Sequence, residues 1–223
     1  MLHERTKLLL GEEALTRLSQ ARVTVVGLGG VGGGAVEALA RAGVGHLRLI
    51  DGDVVSESNL NRQILYTYAD LQRPKALATA NRISQIAPNC QVEPHHIFIS
   101  EENIPRLIRN TDFVLDCIDS LPAKEALIVH CISNNIKIVS SMGAGNRLDP
   151  SRFVITDISK THTDPLAREM RRRLREHEIT NLPVVFSEEP PLRTGKPIGS
   201  VSFVPPVAGM LMAGYTIKTL VEK

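Results

Sequence analysis

The sequence is first narrowed by what it lacks. It has no tryptophan, and aromatic residues of all kinds make up 4%. The core must therefore be filled by Val, Ile, Leu and Ala, which favours buried parallel strands over an aromatic-rich sandwich. Cysteine is sparse: Cys90, Cys117 and Cys131 stand singly, with no C-x-x-C pair. Neither a cysteine zinc site of the usual spacing nor a disulfide framework is expected, and a reducing compartment is the simplest inference. No apolar run approaches the roughly 20 residues of a membrane span, since the longest, Val207 to Val221, carries Lys218. The opening MLHERTKLLLGEE shows no secretory pattern. A cytoplasmic protein without a membrane partner is expected. Excess charge is lacking too: a net +2 does not argue for nucleic-acid binding, which would need a local patch.

What is present is a rhythm of strand and helix. RVTVVG (Arg22 to Gly27) is a β-branched run ending in glycine, and HLRLID (His46 to Asp51) is a second strand. The segment Gly30 to Arg41 between them reads as a helix. A further helix starts near Pro74, which suits a first helical position, and stops before Pro88. CQVEPHHI, DFVLDC and IKIVSS read as strands, with a helix from Pro122 to Asn134. This alternation predicts an α/β fold: a doubly wound, Rossmann-like, mostly parallel sheet with helices on both faces. After Gly145 the rhythm changes to RFVITDI, an Arg-rich helix, LPVVFS, a proline-containing loop from Glu188 to Gly199 and a final helix. One domain over 1–223 is expected: a helical arm at 1–20, a nucleotide-binding core at 21–145 and a mixed C-terminal extension at 146–223 on the substrate side.

Gly27, Gly29, Gly30 and Gly32 lie in a G-x-G-x-x-G-like turn directly after a strand and opening a helix. Glycines let the backbone approach a phosphate, and the helix N-terminus presents free N–H groups to it. Asp51 ends the second strand, where a carboxylate can accept hydrogen bonds from both ribose hydroxyls. A glycine turn kept only for tight packing is the plain alternative. The turn alone does not choose among NAD, FAD and ATP.

Other residues tilt the choice to ATP. Adenylation needs cations for the triphosphate and a carboxylate for Mg²⁺. Asn59, Asn61, Arg62 and Gln63 lie close to the ribose acid, and Arg62 offers a planar fork for phosphate oxygens. Lys75 sits in a first helical turn, an unfavourable place for a cation unless an anion is near. Asp119 follows the strand DFVLDC, beyond whose carboxyl end ligands bind, and can hold Mg²⁺. Each has a bland reading: a solvated arginine, a surface lysine, and for Asp119 the N-cap of the next helix. Asp116 competes with Asp119 but can point into the flank of the sheet.

Together VVGLGGVG (Val25 to Gly32), LIDGDVVSESNLNRQ (Leu49 to Gln63), RPKA (Arg73 to Ala76) and DCIDS (Asp116 to Ser120) resemble the ThiF/MoeB-type adenylating family, bacterial relatives of ubiquitin-activating enzymes. The resemblance implies that Asp51 holds the ribose and Asn59 the nucleotide. Arg62 and Lys75 would hold phosphates, and Asp119 magnesium. It also implies a homodimer in which Arg5 reaches the partner's site. Gln72-Arg73 departs from the pattern, since a glycine is usual before the proline.

Within that family the chain is most similar to the tRNA threonylcarbamoyladenosine dehydratases, through Ser140 to Thr161, Asp164 to Glu176, Val184 to Pro190 and SVSFVPPVAG. That resemblance implies an ATP-dependent ligase acting on tRNA that carries threonylcarbamoyladenosine. Its carboxylate would be adenylated, and an internal nucleophile would close a ring with loss of AMP. No protein nucleophile is needed, and no cysteine is assigned one. Sulfur-relay or electron-transfer proteins are possible partners. Arg168, Arg171, Arg172, Arg173 and Arg175 would attract tRNA phosphates, unless Glu169, Glu176 and Glu178 balance them. Three other readings stand beside this one: adenylation of a ubiquitin-like sulfur carrier, whose enzymes often carry the C-x-x-C pairs missing here; a nicotinamide oxidoreductase; and a non-enzymatic nucleotide sensor or scaffold.

Overall fold

The computed structural model describes residues 2–193 and 195–222. Met1, Lys223 and Thr194, the last inside the expected proline-containing loop, lie outside the described residues. Two short helices, α1 (Glu4–Leu10) and α2 (Glu12–Gln20), meet at Gly11, whose φ of 86° lets the chain turn between them. There follow β1 (Arg22–Val26), α3 (Gly30–Ala42), β2 (His46–Ile50), α4 (Lys75–Ile86), β3 (Gln91–His95), α5 (Ile104–Leu107), β4 (Phe113–Asp116), α6 (Leu121–Ser133) and β5 (Lys137–Ser141). Then come β6 (Phe153–Asp157), α7 (Pro165–Arg175), β7 (Pro183–Ser187) and α8 (Val204–Val221). The short α5, and the 3-10 turns Glu57–Asn59 and Tyr68–Asp70 inside the long loop after β2, lack a pattern long enough to stand out in sequence.

All the strands join one sheet in the order β3-β2-β1-β4-β5-β7-β6. Every neighbouring pair is parallel except β6 and β7. Residues after 145 thus extend the same sheet, with Ser140 and Ser141 of β5 opposite Val184 and Val185 of β7. Pro94 is tolerated in β3 because that strand is an edge.

The side-chain period of two sends alternate residues to opposite faces. Val23, Val25, Leu47, Leu49, Phe113, Leu115 and Val139 pack on one side with α2, α3, α4 and α8. Val26, Ile50, Val114 and Ile138 pack on the other with α5, α6 and α7. Helix α8 crosses α3 closely enough that a Cβ on Gly209 would lie 2.0 Å from the Val31 carbonyl oxygen. The prolines in its first turn, Pro205 and Pro206, come against Gly30 and Gly34. No helix among the described residues is long and apolar enough to cross a membrane.

Strand order reverses between β1 and β4, opening a crevice at their carboxyl ends where ligands of such sheets bind.

Candidate functional site

A cleft of about 1140 Å³ occupies that crevice. Gly27, Gly29, Gly30, Asp51, Asn59, Arg62, Gln63, Lys75 and Asp119 all line it. Gly32 and Arg5 do not. A Cβ on Gly32 would meet the Gly27 carbonyl oxygen at 1.8 Å, so this glycine seats α3 beneath the turn. Arg5 is exposed on α1, away from the cleft.

The glycine turn is held at Leu28. Its N–H donates to Asp51 Oδ2 at 2.6 Å, and its carbonyl accepts from the Tyr66 hydroxyl at 2.9 Å. Tyr66 is buried and also meets the Thr79 hydroxyl, and burial pushes its phenol well above the usual range. Gly27 has φ 88°, and a Cβ there would strike the Cys117 carbonyl oxygen at 2.7 Å, so only glycine joins turn and β4 so closely.

Asp51 Oδ1 accepts the Asp53 N–H at 2.8 Å. Each carboxylate oxygen thus keeps accepting capacity for a hydroxyl. Burial raises the Asp51 pKa against the lowering effect of these bonds and of Lys75. Lys75 is 5% exposed and pairs with Asp53 Oδ2 at 2.8 Å, which supplies the anion its helical position calls for. Gln72, in the Gln72-Arg73 departure before Pro74, has φ 64°, in the left-handed region that glycine enters without strain.

Asn59 spends its Oδ1 capping the 3-10 turn at the Ser56 N–H, and its amide nitrogen has no partner among the described residues. Arg62 uses Nη1 on the Ser58 carbonyl and Asn61 Oδ1, both at 2.9 Å. Asp119 is exposed in the cleft and has no hydrogen bond or ion pair among the described residues. It is not an N-cap, because that place in α6 is taken by Ser120. Asp116 is fully buried and binds Lys124 Nζ at 2.7 Å and the Ser140 hydroxyl at 2.6 Å. Lys124, equally buried, also donates to the Ser141 carbonyl at 3.0 Å, tying the ends of β4 and β5 beneath the cleft.

The outer half of the cleft is walled by Gly143 to Arg147, the start of α7 and a strap that includes Pro191, Arg193, Gly195, Ile198 and Ser200. Asp164 caps α7 through the Ala167 N–H and pairs with Arg147 at 2.9 Å. Asn146, at φ 57°, holds the strap by bonds to the Leu192 and Gly199 N–H groups and the Arg193 and Gly199 carbonyls. Among the described residues, Gln63 Oε1, Arg147 Nη1 and Ser200 Oγ are buried without a partner, and all three residues line the cleft. A stranded polar atom costs about 1–3 kcal/mol, and three of the five among the described residues lie on the cleft, the other two being Arg17 Nε and Arg82 Nε.

Helix α7 is less basic than its sequence suggests. Arg172 pairs with Glu169 and Glu176, Arg173 with Glu125 and Glu169, and Arg171 bonds Thr161. The Arg168 and Arg175 side chains have no hydrogen bond or ion pair among the described residues, and of the two only Arg168 lines the cleft.

Sequence reasoning missed Tyr66, Asp53, Lys124 and the Arg147–Asp164 pair. Only Asp164 carried a local signal, an Asp-Pro at a helix start.

The chain matches the ThiF family over residues 3–223. It is 38% identical to a tRNA threonylcarbamoyladenosine dehydratase of Bacillus subtilis, covering all of this chain and 96% of that protein. It is 43% identical to the Escherichia coli protein of that name over 76% of this chain and 64% of that protein. The crystal structure of the E. coli dehydratase in complex with ATP superposes with a TM-score of 0.93 at 36% identity, covering 98% of this chain and 93% of that one.

Proposed function

This chain belongs to the ThiF family, and from that premise we propose that it is an ATP-dependent enzyme that dehydrates threonylcarbamoyladenosine beside the anticodon of tRNA. A carboxylate oxygen of the threonyl group attacks the α-phosphorus of ATP, and pyrophosphate leaves. An internal nucleophile of the same modified base then attacks the acyl carbon. AMP departs with the carboxylate oxygen, so the nucleoside loses the elements of water.

What supports the reading is a single cleft that joins a glycine turn, two cations and an acid to a second, uncommitted half. The residues fit ATP: Gly29 and Gly30 line the cleft where α3 begins, and Gln63 Oε1 has no donor among the described residues. Asp51 would take the ribose hydroxyls, Asn59 and Gln63 the nucleotide, and Lys75 and Arg62 the phosphates. Asp119 would hold Mg²⁺, which binds through one or two carboxylates with phosphates completing its shell. When bound, the metal would neutralise charge on the departing pyrophosphate. Leu8 and Leu9 are 83% exposed on α1, which suits an arm that packs on a second copy and brings Arg5 to its cleft.

The test is to incubate the protein with ATP, Mg²⁺ and tRNA with or without the modification. Pyrophosphate release and the nucleoside masses are then followed. Release that needs the modified tRNA, with a product lighter by one water, is expected. Release stimulated only by a ubiquitin-like carrier protein, with the tRNA unchanged, would sink the assignment.

A further inference from the structure

On the proposed function the nucleotide would take the inner half of the cleft, and the second substrate the outer half. That half is built around a buried ion pair. Arg147 and Asp164 are 4% and 3% exposed. They grip Gly143 from both sides: its N–H donates to Asp164 Oδ2 at 3.0 Å, and its carbonyl accepts from Arg147 Nε at 2.9 Å. Arg147 thereby commits Nε and Nη2 and leaves Nη1 buried with no acceptor among the described residues. Folds seldom strand a charged donor, and each case calls for a partner, either a ligand or a water, or for a functional role. Asp164 already matches the charge of Arg147, so what remains is a fixed hydrogen-bond donor. A net positive charge comes from Arg168, in the first turn of α7, exposed at the cleft and unpaired among the described residues.

We infer that Arg147 recognises the substrate's carboxylate, Nη1 donating to one oxygen while the other is left to attack the α-phosphorus, with Arg168 drawing the anion in. This rests on the proposed function. Bringing a carboxylate up to a triphosphate sets anion against anion. A donor fixed by Gly143 and Asp164 orients the nucleophile without loosening the nucleotide.

Binding of modified and unmodified tRNA, which differ by the carboxylate-bearing group, is the discriminating measurement. Arg147→Lys keeps a cation beside Asp164 but removes the second guanidinium nitrogen. The double variant Arg147→Met with Asp164→Asn removes both charges together, which spares the fold an unpaired buried charge, and Asn can still cap α7. Both should lose roughly 10- to 100-fold of the preference for modified tRNA, the scale of a hydrogen bond to a charged group. ATP affinity and binding of unmodified tRNA should stay unchanged. Wild-type preference in both variants overturns the inference, as does a parallel fall in ATP and tRNA binding, which marks a merely structural pair. If the wild-type protein dehydrates the tRNA and the variants do so with unchanged KM, the inference alone fails. If the wild-type protein binds ATP yet neither prefers nor converts modified tRNA, the proposed function fails with it.

Discussion

The two halves of the cleft are made by different means. The inner half is built mainly from main chain and from side chains that serve main chain. Asp51 holds the N–H groups of Leu28 and Asp53, Tyr66 holds the Leu28 carbonyl, and Asn59 caps its own turn. The outer half is built from side chains paired across long stretches of sequence. Arg147 meets Asp164, Asn146 holds the strap at Gly199, and the buried Glu189 accepts the N–H groups of Leu148 and Asp149. A wall of backbone reads the shape of a phosphate chain and is insensitive to most side-chain exchange. On the proposed function, a wall of paired side chains would make recognition of the second substrate hang on a few residues, each costly to change.

The harshest test of this division is Lys124, which lies under both halves where β4 and β5 end. Lys124→Met strands Asp116 in a fully buried place and should cost about 3–5 kcal/mol of stability, read by denaturant unfolding. Both ATP and tRNA binding should suffer. Adding Asp116→Asn should restore most of the stability, since replacing a whole buried pair is often neutral. An isostable Lys124→Met would show that this pair does not join the halves.

A smaller and more selective effect is expected at the inner wall. Lys75→Ala and Asp119→Ala should each lower the rate of pyrophosphate release about 10²–10³-fold, the scale of losing one preorganised charge. Asp119 is exposed and unpaired among the described residues, so its loss should leave stability within about 0.5 kcal/mol. Affinity for modified tRNA should stay at the wild-type level. If tRNA binding falls as far as pyrophosphate release, the halves are not separable.

What could be read from sequence follows the same division. The strand ending at Gly27, the turn after it and Asp51 lie within one short stretch, where spacing alone implies geometry. Lys75 was visible as a cation misplaced in a helix, but its partner Asp53 was not, because backbone bonds around the isolated bridge between Val54 and Pro74 bring those distant segments together. Arg62 and Asp119 stood out through the resemblance more than through any local pattern. Gly32 fits the motif yet serves packing, a distinction that depends on the path of the Gly27 carbonyl. Arg147 and Asp164 carried no mutual signal, since a pairing made by folding leaves no period to count. For the arginines of α7 the balancing Glu169 and Glu176 were in view, while Glu125 arrives from α6.

The mildest expected effect is a difference in acid response between the halves. In the inner half, burial lifts the Asp51 carboxyl above its ordinary 3.8. Acidification should therefore remove its charge at a higher pH than that of an ordinary aspartate. Affinity for adenosine, which has no phosphate to titrate, should begin to fall above the usual Asp range, and Asp51→Asn should flatten that profile. Beside the outer half, Arg172 and Arg173 draw Glu169 down from 4.5 to about 2. Glu125 is lowered too, burial notwithstanding, by hydrogen bonds from Arg173 and His177. A depressed carboxylate contributes stability above its unfolded pKa and loses it as pH falls through the folded value. The anchoring of α7 should thus persist at neutral pH and weaken only between about 4.5 and 2. Proteolysis at the α7 arginines, followed as pH is lowered, would check the order. If α7 loosens before adenosine affinity declines, the inner acid is not the more easily protonated of the two.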